Sequence, residues 1–156
     1  MLAVLVVGLT SLAYLNSFQG QFVFDDETAH VQNPGIRSLA QSWLPPESGG
    51  LTVGGRPLLS FSFALNYAVG GYDVWGYHLV NLLIHLANGL LLAGIVRRTL
   101  TLPSLASRWG AVADEVAFIA AGWWLLHPLQ TESVTYIVQR AESLVALCYL
   151  GTWWFY

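Results

Sequence analysis

The sequence has no lysine, only one cysteine, and only 10% charged residues in a chain of 156. Each shortage excludes something. A lone cysteine, Cys148, rules out an internal disulfide framework and a cysteine-cluster metal site. A net charge of −3 carried with six scattered arginines and no basic run excludes nucleic acid, whose counterions are displaced only by clustered cations. A soluble domain of this size carries about 25% charged residues. This chain lacks the polar material to cover a water-facing surface. What it has instead is 55% hydrophobic residues and a mean hydropathy of +0.55, so lipid must cover much of it.

A spanning helix needs about 20 mostly apolar residues. Four stretches approach that length, and they predict an all-α polytopic membrane protein forming a single membrane domain. The expected layout is a span over 1–17, an outer loop over 18–73, and a span over 74–96. An inner loop over 97–110 follows, then a span over 111–127, an outer turn over 128–133 and a span over 134–156. The first stretch has neither a basic n-region nor a small-residue cleavage site before Gln19, which favours a retained helix over a signal peptide. Arg97, Arg98 and Arg108 crowd one short loop, whereas Arg37, Arg56 and Arg140 are spread over long segments. Cations in short loops mark the cytoplasmic side, so both termini are expected inside and 18–73 outside, in the plasma (inner) membrane if the source is bacterial. Trp75 and Tyr77 then sit at the outer interface, as do Trp123 and Trp124. Asp114 and Glu115 fall at the inner mouth of a short third helix. The chain stops at Tyr156, within the fourth apolar stretch, which fits either a piece of a longer protein or a small subunit packed against partners.

Within 18–73, Phe22-Val23-Phe24 leads into Asp25-Asp26-Glu27. Adjacent carboxylates repel, which raises the pKa of at least one unless a cation or donor compensates. Such a group at a membrane face can act as a general base. The competing reading is a solvated loop start. Asn33-Pro34-Gly35 reads as a turn, Ser38–Leu44 as a short amphipathic piece stopped by Pro45-Pro46, and Gly49-Gly50 and Gly54-Gly55 as punctuation. Pro57 suits a helix first turn. Leu58–Val69 reads as a surface helix, although its alternation also fits a strand. A lone strand in lipid would leave its backbone unsatisfied.

In the second span His78, Asn81, His85 and Asn88 are spaced 3, 4 and 3 apart and share one helical stripe. That stripe is either a cavity wall or interhelical hydrogen-bonding glue. His78 or His85 with His127 as metal or haem ligands is a third reading. After His127-Pro128, Thr131 is placed to cap the fourth helix. Glu132, Tyr136, Gln139 and Ser143 share a face, and Arg140 borders it. Arg140 suits a phosphate headgroup, an internal pair with a glutamate, or snorkelling to ordinary lipid.

Taken in order, these motifs resemble a known family. They are Phe22–Glu27, Arg56-Pro57-Leu58 with Phe63–Tyr67, Gly76–His85, His127–Val134 and Arg140-Ala141-Glu142. The pattern resembles the N-terminal membrane part of GT-C glycosyltransferases, specifically the transmembrane-and-TPR protein O-mannosyltransferases and their bacterial relatives. It covers about residues 18–150. The resemblance implies transfer of a sugar from a polyprenyl-phosphate carrier to an acceptor on the non-cytoplasmic side. Asp25 or Asp26 would be the catalytic base or acceptor-orienting carboxylate, with Glu27 beside it. Arg56, His78, His127, Glu132, Arg140 and Glu142 would bind substrate, with Arg140 at the phosphate. Some such enzymes use a divalent cation, for which Asp25 and Asp26 are the candidate ligands. The family's later helices and TPR repeats are absent here. The chain therefore also reads as an inert accessory subunit of a larger membrane complex.

Overall fold

In the computed structural model, which describes residues 1–45 and 52–156, the regular structure is entirely helical. Helix α1 (Leu2–Ala13) continues through a 3-10 turn, Leu15–Gln19, to form an 18-residue apolar rod. The first loop folds into a π turn (Glu27–Val31) and two 3-10 turns (Pro34–Arg37 and Gln41–Trp43). Asn33 starts the first 3-10 turn by accepting from the Gly35 amide at 2.9 Å. The expected piece at Ser38–Leu44 is only the second 3-10 turn with its flanks. Pro46, Ser48 and Gly49-Gly50 lie outside the described residues.

Helix α2 (Pro57–Gly70) starts on its proline, so the alternating pattern folds as helix. It is packed on more than one side. Leu59, Ser60, Phe63 and Ala64 are buried against the two 3-10 turns and the helices that follow. The loop and α2 together build a cap whose core is Ile36, Val53, Phe63, Tyr77 and Ile137.

Helix α3 (Val74–Leu100) is capped by Asp73, which accepts from the Trp75 amide at 3.2 Å. It runs one turn past the expected stop at Val96. Arg97 and Arg98 lie in its last turn, where cations offset the helix dipole rather than end the helix. The intervening loop is mostly helical: α4 (Pro103–Trp109), a 3-10 turn, then α5 (Ala113–Leu125). Arg97 pairs with Asp114 across this connection, and both side chains are exposed.

The fourth apolar stretch is broken. Helix α6 (Thr131–Thr135) ends at Tyr136, whose φ of −99° and ψ of 109° are extended. A 3-10 turn, Ile137–Gln139, then leads into α7 (Arg140–Phe155). Thr131 is the first residue of α6 rather than its cap, and its hydroxyl donates back to the Pro128 carbonyl.

Among the described residues two helices are long and apolar enough to cross a membrane, Leu2–Gln19 and Val74–Leu100. A third candidate is Pro103–Leu125 joined to Pro128–Thr135 through a 59° bend. The 16-residue α7 is shorter than these. The chain is an integral membrane protein with two to three candidate spans, where the hydropathy pattern predicts four.

α3 is the central element, touching every other α-helix. Its close partner is α5, which presents Ala113, Ala117 and Ala121 at four-residue spacing. Small residues let helix backbones approach in lipid, where van der Waals contact drives association. At Gly89 the approach is closest: a Cβ there would sit 2.4 Å from Leu125 Cδ1.

Candidate functional site

The acidic motif forms a tight turn at the cap end of the bundle. The Asp26 amide donates to the Val23 carbonyl at 3.0 Å, and Phe24 takes a left-handed φ of 48°. A bulky residue rarely adopts that conformation, so surrounding contacts must hold it. They are present. Asp26 is fully buried; its Oδ2 accepts from the Val23 amide at 3.2 Å and its Oδ1 from the Val138 amide at 2.7 Å. The Asp25 amide donates to the Tyr136 hydroxyl at 3.2 Å. Burial pushes the Asp26 carboxyl above the usual range; the Val23 and Val138 amides work against that, and the neighbouring Asp25 charge adds to it.

The two carboxylates therefore have different jobs. Asp26 ties the first loop to the break between α6 and α7, and Asp25 stays exposed. Each Asp26 oxygen accepts one backbone amide. Among the described residues no group of three or more His, Cys, Asp or Glu side chains is placed to hold a metal, His78, His85 and His127 included. Glu27 and Glu132 are exposed. Asp25, Asp26 and Glu132 lie near enough to the Tyr136 hydroxyl for their charges to act on it.

His30 escaped the sequence reading. It is fully buried, four residues after Asp26, and its Nδ1 lies 2.8 Å from the Asp26 carbonyl. A carbonyl only accepts, so Nδ1 carries the proton. The ring stacks on Phe22 and meets Phe63 edge-on at 4.2 Å between centroids. Burial lowers its pKa to about 4; the carbonyl opposes this and the Arg140 charge reinforces it. The Asp26-to-His30 spacing was the one available signal, and it is weak.

Arg140 sits in the protein interior. It is fully buried. Its Nε donates to Asn81 Oδ1 at 2.6 Å, and Nη2 to the Tyr77 carbonyl at 3.0 Å. Nη1 reaches both the carbonyl and the hydroxyl of Ser62 at 3.2 Å. The guanidinium lies 4.5 Å from the Phe63 ring centroid. With every nitrogen engaged and no glutamate partner among the described residues, it joins α2, α3 and α7 in this arrangement.

The α3 stripe does the same at other depths. His78 Nδ1 meets the Val134 carbonyl at 3.2 Å, and Asn81 donates to the Ile137 carbonyl at 3.2 Å. His85 Nε2 meets the Leu125 carbonyl at 3.0 Å, and Asn88 donates to the Ser143 carbonyl at 2.9 Å. All four are buried and bond to other helices or their connecting turns, which is the glue reading. His78 and His85 meet carbonyls left open near the ends of α6 and α5, whereas Asn81 and Asn88 add a second bond to carbonyls in the Ile137–Gln139 turn and in the first turn of α7. His127 is half-buried and caps the next turn by accepting from the Leu129 amide at 3.2 Å.

The remaining two candidates meet elsewhere. Exposed Arg56 and Glu142 line one groove of about 880 Å³ between α2 and α7. Its walls are otherwise mostly apolar, from Leu58, Leu59, Leu144 and Val145 among others, and Trp43 stands in it. Glu142 lies in the first turn of α7, one helical turn past the Val138 amide that holds Asp26. The acidic turn and the groove thus share one short piece of chain.

No family model matches the chain, and no solved structure is similar to it. Curated proteins do match. The chain is 35% identical over 155 residues to protein O-mannosyl-transferase Tmtc2 of Drosophila melanogaster, covering 93% of this chain and 15% of that protein. It is 37% identical over 157 residues to Tmtc1 of the same organism, covering 93% and 17%. With mouse TMTC4 it is 32% identical over 161 residues, covering 95% and 22%. The chain spans less than a quarter of the length of these relatives. The resemblance read from the motifs is thus borne out: over nearly its whole length this chain is similar to one segment of the protein O-mannosyl-transferases.

Proposed function

We propose that this chain is the donor-binding and base-bearing module of a membrane glycosyltransferase. It transfers a sugar from a polyprenyl-phosphate carrier to a hydroxyl acceptor on the non-cytoplasmic side. The observation that carries the reading is an exposed carboxylate, Asp25, on a clamped turn that is tied at Val138 to the same short piece of chain that brings Glu142 to a large apolar groove, which Arg56 also lines. The groove walls suit a prenyl chain. Exposed Arg56 suits its phosphate, and Glu142 a sugar hydroxyl. In the step itself the acceptor oxygen attacks the anomeric carbon as its proton passes to Asp25. The carbon–oxygen bond to phosphate breaks, its electron pair stays on the phosphate, and Arg56 stabilises the charge that develops there. Attack opposite the leaving group inverts the anomeric centre.

The reading includes four membrane crossings: α1, α3, α5 and α7. Arginine bias places residues 97–110 inside and the acidic turn outside. The module works with further membrane helices, because α5 leaves Ile119 and Trp123 exposed and α7 leaves Trp153 exposed outside the groove. The same apolar faces support a second reading, an inert subunit that packs against partner helices of a larger complex.

The test is transfer from polyprenyl-phosphate mannose by the chain in nanodiscs, alone and with co-purified native partners. Asp25→Asn is expected to lower turnover by about 10²–10⁴-fold. Arg56→Gln is expected to raise the donor KM. Full turnover by Asp25→Asn defeats the assignment. Stoichiometric co-purification with a complex that shows no turnover favours the inert subunit.

A further inference from the structure

Two backbone irregularities meet at one hydrogen bond. Phe24 is left-handed, and the fourth helical stretch breaks at Tyr136. Had the helix continued, Tyr136 would share a face with Glu132 and Gln139, as the spacing predicts. The extended backbone at Tyr136 instead accompanies a ring whose hydroxyl accepts the Asp25 amide at 3.2 Å. Two residues on, the Val138 amide holds Asp26 at 2.7 Å. The turn is thus gripped at successive residues by one short segment.

Asp26 accounts for the closure of the turn, since it receives the Val23 amide as well. It does not account for Asp25. That residue's side chain is exposed, and among the described residues the Tyr136 hydroxyl is the only partner of its amide. The strain sits at Phe24, immediately before it, where a bulky side chain disfavours the left-handed conformation.

We propose that Tyr136 is a positioning residue: its hydroxyl clamps the left-handed Phe24 turn and so aims the Asp25 carboxylate. This rests on the role given to Asp25 above. It assigns a function to a residue that belongs to no motif of charged groups. It also gives the break at Tyr136 a purpose.

The experiment uses Tyr136→Phe in the full chain in nanodiscs, with two readouts. Hydrogen exchange is followed in peptides covering 22–27. Loss of the clamp is expected to speed exchange at the Asp25 amide about tenfold, the scale of one hydrogen bond, with α3 and α5 unchanged. In the transfer assay, kcat is expected to fall with donor KM unchanged. Phe24→Asn, which tolerates the left-handed region, should recover part of that loss when combined with Tyr136→Phe. Unchanged exchange at 22–27 overturns the clamp. Faster exchange with unchanged kcat overturns the positioning role. If the wild-type chain transfers nothing, the glycosyltransferase reading fails, and the exchange result alone decides the clamp.

Discussion

Single residues here divide sharply between holding and exposing charge. His30 is buried with a pKa of about 4, well below its ordinary 6.5. A group depressed in the folded state contributes stability in full above 6.5 and loses it as pH falls through about 4. That shift corresponds to roughly 3 kcal/mol. Asp26 has the opposite sign: its raised pKa gives a contribution present at low pH and lost as pH rises through the folded value. Acid should therefore loosen residues 22–31 between pH 6.5 and 4, with Asp26 softening the effect. Hydrogen exchange against pH measures this, and an unchanged slope in His30→Gln would refute the linkage. Arg140 is a second test. Lysine cannot reproduce its planar fork or its place over Phe63. Arg140→Lys should cost about 2 kcal/mol or more in denaturant unfolding in detergent. A variant as stable as wild type would contradict a structural role.

Elements meet along α3, and the sequence pattern showed part of this. The His78–Asn88 stripe was legible because spacings of 3 and 4 put polar groups on one helical face. Which elements those groups bond was not, because their partners are main-chain carbonyls of segments 40 to 56 residues away, which no side-chain pattern marks. The break at Tyr136 was also invisible. Residues 134–156 carry no proline, and periodicity alone favours one continuous helix. The α3–α5 contact depends on Gly89, where a side chain would collide with Leu125. Gly89→Ala should destabilise by about 1–3 kcal/mol through overpacking. Leu125→Ala vacates that space, so the double variant should recover part of the loss, measured as coupling in a double-mutant cycle. Strict additivity would show that the two residues do not press on each other.

At the scale of the whole molecule, the orientation across the membrane organises the proposal. In a Cys148→Ser background, which removes an exposed native thiol, Ser48→Cys should react with an impermeant reagent added outside. Ser107→Cys, in α4, should be protected until the membrane is opened. The reverse pattern would invert the topology and put Asp25 on the wrong side for a lumenal or periplasmic acceptor. The cap matters as much as the spans. Residues 18–73 read as a polar loop with a surface helix, yet Ile36, Val53 and Phe63 bury completely within it. The loop is therefore a packed layer that can hold a strained turn in place.

Composition and hydropathy by themselves determined the class, an all-helical membrane protein, because so little charge cannot cover a surface in water. Motif order by itself pointed to the protein O-mannosyl-transferases. Only the tertiary structure separated Asp25 from Asp26, withdrew Arg140 from the surface and brought Tyr136 to the acidic turn. The physical reason is common to all three. Neighbours in sequence share a composition, but burial and hydrogen-bond partners are set by distant segments, here the Tyr136–Arg140 stretch folding back onto residues 23–26 and onto α3.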